Sequence, residues 1–110
     1  MDWSTDLNRL ADQIAEWRSS KNFITPSSLA SEYHRDLMLG KLMLVVTEIA
    51  EAAEAVRHQD MDNFEEEIAD TFIRLLDISG TMKLNIVAAI HDKMNKNAER
   101  PERHGKHTSL

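Results

Sequence analysis

The feature that most constrains this chain is a pair of apolar segments, each carrying two carboxylates at one-turn spacing. In KLMLVVTEIAEAAEAVRHQDMDNFEEEIADTFIRLLD, residues 41–77, Glu48 and Glu51 lie three apart, and so do Glu67 and Asp70. Residues at that spacing share a helix face. At roughly 100° per residue, Glu48 is flanked by Leu44, Val45, Ala52 and Ala55. Glu67 lies among Phe64, Thr71, Arg74 and Ile78, with Asp70 on the edge that also carries Asp77. These are core faces rather than solvated stripes. Acidic side chains are almost never fully buried without a partner, and removing an ionised carboxylate from water costs several kcal/mol. Lys41 and Arg74 are the chief cations on these faces, too few for four acids. An all-oxygen donor set with no nearby His or Cys suits Mg²⁺ or Mn²⁺ and argues against zinc. Glu48, Glu51, Glu67 and Asp70 are therefore the expected metal ligands and catalytic residues.

Only three Gly and two Pro occur in 110 residues, and such a composition favours helix throughout. Trp3, Leu7, Leu10, Ile14 and Trp17 recur at helical spacing, which predicts a first helix over 4–19, capped by Asp2 or Ser4, with both Trp as core or interface anchors. Thr25 before Pro26 reads as an N-cap with proline at the first helical position, so a second helix is expected from there to about His58, weakened near Gly40. Phe23, in the connection, either pins the loop or lines a base pocket. Asp62 and Glu65 have the arrangement of a capping box for a third helix over 63–81, and Asn85 caps a fourth that runs to about Glu99 and ends before Pro101. Lys93, Asn97 and Arg100 then share one edge. On spacing alone this is better read as a polar face near a helix C-terminus. His34, His58 and His91 are isolated and read as surface or satisfied histidines, while Glu54, Glu65, Glu66 and Asp77 read as members of ion pairs.

The expected fold is all-α, a bundle of four to five helices in a single domain over 1–110, with a basic tail at 100–110. The third helix is apolar on several sides, including Ala69, Phe72, Ile73 and Leu76, more than so short a chain covers alone. A homodimer centred on that helix is expected. Cysteine is absent, so there is no disulfide or thiolate chemistry, and a cytoplasmic setting is the default. No run approaches the ~18 apolar residues of a membrane span, and a net charge of −6 disfavours nucleic acid as a partner.

The two carboxylate pairs resemble the signature of the MazG-like all-α nucleoside triphosphate pyrophosphohydrolases, relatives of dCTP pyrophosphatase and dimeric dUTPase. That signature is ExxE on one helix and ExxD on the next, here Glu48-Ile-Ala-Glu51 and Glu67-Ile-Ala-Asp70. It is joined by a C-terminal run through Lys93, Asn97, Arg100, Pro101, His104, Gly105 and Lys106. ExxE alone is a weak signal; the combination is much stronger, and the likeness extends from about Leu37 to Lys106. The resemblance implies Mg²⁺-dependent hydrolysis of an NTP or dNTP to monophosphate and pyrophosphate, with Mn²⁺ as a substitute metal. It also implies substrate contacts from Lys93, Asn97, Arg100, His104 and Lys106, and pairing of dimers into a tetramer. Many members have EExxE, whereas this chain has Thr47 before Glu48, which leaves the number of metal ions and the identity of the general base open. Two rivals come from other classes. A ferritin-like oxidase would use Glu-x-x-His, and no acid here has His three residues on. A noncatalytic helical adaptor would keep the fold and bind a partner through the third helix.

Overall fold

The computed structural model describes residues 3–99, with side chains from Asp6 onward. Four helices follow one another: α1 Trp3–Ser20, α2 Glu32–Arg57, α3 Met61–Thr81 and α4 Ile86–Glu99, with no strand among the described residues. The chain is all-α, as composition requires. None of the helices is long and apolar enough to cross a membrane.

α3 is the centre of the protomer, packed by α1 on one side and α2 on another. This accounts for much of its many-sided apolarity without a second chain. Leu76 is buried and Ile73 half-buried, while Phe72 and Ala69 stay exposed. α2 presents two parallel stripes, each at alternating spacings of three and four. Met38, Lys41, Val45, Glu48, Ala52 and Ala55 form the inner one, whose apolar members are all buried. Leu39, Leu42, Val46, Ile49, Ala53 and Val56, one residue further round, form the outer one, and its five larger residues are exposed. Apolar surface is thus left uncovered along α2, and also on α3, where Met61, Ile68, Phe72 and Leu75 are exposed.

The first helix is rotated from the expected face. Ala11 and Arg18 are buried, whereas Leu10 is exposed and Trp17 is 54% exposed. Small residues set this crossing, because a Cβ on Gly80 would fall against the Ala11 carbonyl. A bulky residue has no room there, and farther along α1 Trp17 faces outward. The side chain of Trp3 and the capping residues Asp2 and Ser4 lie outside the described side chains.

Three helices end in the same hydrogen-bonded turn. Asn22, Gln59 and Lys83 adopt φ of 66°, 55° and 57°. Phe23, Asp60 and Leu84 then donate their N–H groups back to the carbonyls of Arg18, Ala55 and Ser79. These are Schellman closures made without glycine. The second helix begins at Glu32 rather than after Thr25. Ser31 is its N-cap, accepting from the His34 N–H, and Thr25 uses its hydroxyl elsewhere. α3 begins two residues before the expected position, with Asp60 rather than Asp62 accepting the Asn63 N–H. Asn85 caps α4 as expected, its Oδ1 accepting from the Ala88 N–H.

Candidate metal and nucleotide site

The inner stripe of α2 faces α3, and the small buried Ala52 and Ala55 give the carboxylates room to converge. Oxygen atoms of Glu48, Glu67 and Asp70 all lie within 4.8 Å of one another. Glu48 and Glu67 are half-buried and Asp70 is exposed, so the trio opens to solvent at Asp70. Glu51 is exposed. It stands close enough to Glu67 to act on its carboxyl, yet outside the trio.

Charge compensation is one-sided. Arg74 Nε donates to Glu48 Oε1 at 3.2 Å. Glu67 Oε2 is sealed from solvent and receives no hydrogen bond. The Glu48 carboxyl within hydrogen-bonding reach, then burial, then Glu51, push the Glu67 carboxyl from its usual 4.5 up to about 7. Like charges crowded at one place raise a carboxyl in this way. A buried oxygen without a donor, inside an all-carboxylate set, fits a hard cation such as Mg²⁺ or Mn²⁺.

Thr47 contributes nothing to this cluster, since it is exposed and its hydroxyl bonds the Met43 carbonyl of its own helix. Lys93 and Asn97 are exposed on α4, which packs against α1 rather than along the α2–α3 seam. The chain's own packing does not bring them to the trio. Arg100, His104, Lys106 and the tail lie outside the described residues. The histidines of α2 and its C-cap are satisfied locally: His34 Nδ1 is 2.7 Å from Ser31 Oγ, and His58 Nε2 is 2.8 Å from Glu54.

A second ionic cluster lies farther along α3. Asp77, 3% exposed, accepts from Arg18 Nε at 2.9 Å and Thr25 Oγ1 at 2.7 Å on one oxygen, and from Thr81 Oγ1 at 3.1 Å on the other. The Arg18 guanidinium also stands 4.5 Å from the Phe23 ring centroid. Phe23 therefore pins the loop onto α1, half-exposed at the lip of a cleft of about 260 Å³ shared with Asn22, Thr25 and Thr81. Reading Asp77 as an interhelical ion-pair acid agrees with this arrangement. Its partner Arg18 was not legible, because a charged residue beside Trp17 gives no sign of being the inward one.

The family model of the MazG nucleotide pyrophosphohydrolase domain matches residues 40–104, more than half of the chain. The chain belongs to this family of hydrolases, which generally depend on divalent metals. Comparison with curated proteins and with solved structures gives no match. The matched residues include all four paired carboxylates, Arg74 and Asp77, while Arg18 on α1 lies outside them.

Proposed function

We propose that the chain is a divalent-cation-dependent pyrophosphohydrolase that converts an NTP or dNTP to the monophosphate and pyrophosphate. The observation that carries this reading is the sealed Glu67 oxygen, without a donor, inside the Glu48–Glu67–Asp70 trio. Glu48, Glu67 and Asp70 hold the cation, with Glu51 beside them. Bound Mg²⁺ or Mn²⁺ supplies Lewis-acid polarisation of the phosphate and activation of the attacking water. Arg74 fixes the orientation of Glu48 through its 3.2 Å hydrogen bond. Glu67, its carboxyl raised to about 7, keeps a share of its proton near neutral pH in the metal-free chain and would give it up as a cation ligand. Glu51, near the trio but outside it, would accept the proton of the water that attacks the α-phosphorus. Positioning and charge stabilisation of this kind need no covalent intermediate.

The single domain spans the whole chain in this reading, and the protein works in the cytoplasm as a homodimer that pairs again into a tetramer. The exposed outer stripe of α2, with the three-and-four spacing of a helix–helix seam, supports assembly through α2, alongside the exposed Ile68, Phe72 and Leu75 of α3. Assembly also gives Lys93, Asn97, Arg100, His104 and Lys106 a route to the nucleotide of a neighbouring protomer. Val46→Asp, which places a charge in the outer stripe, is expected to give monomers or aggregates in sedimentation. A monodisperse monomer of the unmodified protein at micromolar concentration would contradict the assembly. The activity is tested by incubating a panel of NTPs and dNTPs with Mg²⁺ in ¹⁸O-water. The expected products are pyrophosphate and labelled monophosphate; orthophosphate and diphosphate, or no product across the panel, would refute the reading.

A further inference from the structure

Lys41 sits on the inner stripe of α2, seven residues before Glu48, so the two Cα atoms are about 10 Å apart along one helix face. It is half-buried, and among the described residues it makes neither a hydrogen bond nor a direct ion pair. The acids nearest it in the seam are already engaged. Asp77 already accepts from Arg18, Thr25 and Thr81, and Glu48 takes its bond from Arg74. Burial and the charges of Arg18 and Arg74 hold the Lys41 ammonium below its usual value, with only Asp77 opposing. A partly buried cation crowded by two others is unfavourable in the ligand-free protein.

Two unmet polar groups therefore lie along one seam, a sealed Glu67 oxygen without a donor and a Lys41 ammonium without an acceptor. A cation bound at the trio satisfies the first and leaves the second. An anion alone would do the reverse. A metal–polyphosphate carries both charges within the span that separates the two positions. We propose that Lys41 is a substrate-binding residue that holds the polyphosphate of the nucleotide beyond the carboxylate trio. The assignment rests on the pyrophosphohydrolase reading and adds to it a contact from α2.

The test is calorimetric titration of pyrophosphate with Mg²⁺ into the wild-type protein, Lys41→Met and Lys41→Arg, alongside titration of a nucleoside monophosphate and triphosphate kinetics. Lys41→Met should weaken pyrophosphate binding and raise KM by about tenfold or more, the scale of one hydrogen bond to a charged group. Monophosphate binding should stay unchanged, the melting temperature should hold or rise, and Lys41→Arg should recover most of the loss. Wild-type pyrophosphate affinity in Lys41→Met would overturn the proposal. So would a loss that falls on the monophosphate instead, or equal loss in Lys41→Arg with a lowered melting temperature. If the wild type cleaves no triphosphate, the enzymatic reading fails while the pyrophosphate titration still decides Lys41. Binding that Lys41→Met abolishes then upholds the contact, and no binding by the wild type overturns it.

Discussion

Asp77 and Glu67 stand on the same helix, ten residues apart, and meet opposite surroundings. Asp77 is the more deeply buried, yet both of its oxygens are satisfied, by a guanidinium and two hydroxyls. Glu67 has one sealed oxygen that receives nothing, and the groups around it are the carboxyls of Glu48, Glu51 and Asp70. Burial therefore does not tell a structural acid from a functional one; the supply of donors does. Where the chain provides Arg18, Thr25 and Thr81, the carboxylate fastens α1 and the loop to α3. Around Glu67 the chain places further carboxyls, and its one nearby bonded cation, Arg74, is spent on Glu48; the proposed cation would supply what is missing.

The sharpest way to break this contrast is to remove each acid in turn. Asp77→Ala leaves Arg18 buried without its counter-charge and should cost about 3–5 kcal/mol of stability, read by denaturant unfolding. Glu67→Gln should leave the metal-free fold as stable as before or more so, because it removes a crowded charge, and should abolish turnover. If the two stabilities change in the same direction and by the same amount, the distinction fails. A smaller effect is expected at Thr25→Val, which removes one hydrogen bond to a charged carboxylate and should lose about 1.5–3 kcal/mol, with the carboxylate trio and its cation affinity untouched.

Much of this was legible in the sequence where the signal is local. The two carboxylate pairs are read from spacing within single helices, and among the apolar flanks of Glu48 the residues Val45, Ala52 and Ala55 are buried as that spacing implies, while Leu44 is exposed. The Asn85 cap is equally local. What escaped depends on long-range packing. Thr25 before Pro26 has the chemistry of a helix start, but its hydroxyl donates to Asp77, 52 residues away, and α2 starts at Glu32 instead. Trp17 has the size of a core residue, but α1 meets Gly80 through Ala11 and Ala15, and beyond them Arg18 turns inward to pair with Asp77 while Trp17 faces out. Lys93 and Asn97 share a helix edge as expected, yet the seating of α4 on α1 keeps that edge from the trio of its own protomer.

The pH dependence sharpens the same comparison with the smallest signal. In the unfolded chain Glu67 titrates near its usual 4.5, and in the folded, metal-free chain near about 7. Between these values the folded state binds more protons, so its stability falls as pH rises through the window. Saturating Mg²⁺ should flatten that decline, because the cation takes the place of the proton. Melting temperatures from pH 4.5 to 7.5, with and without Mg²⁺, would show it, and parallel curves would count against a Glu67-centred site.

The central claim, that Glu67 anchors a cation site which the chain itself leaves uncompensated, is tested most directly by titrating Mn²⁺ into the folded protein and into Glu67→Gln. Calorimetry near pH 6.5 in two buffers of different ionisation enthalpy would read both affinity and proton release. The account predicts that the wild-type protein binds Mn²⁺ and releases a proton as it does so, and that Glu67→Gln binds at least about tenfold more weakly with that release lost. Equal affinity in the two proteins, or binding with no proton released, would contradict it.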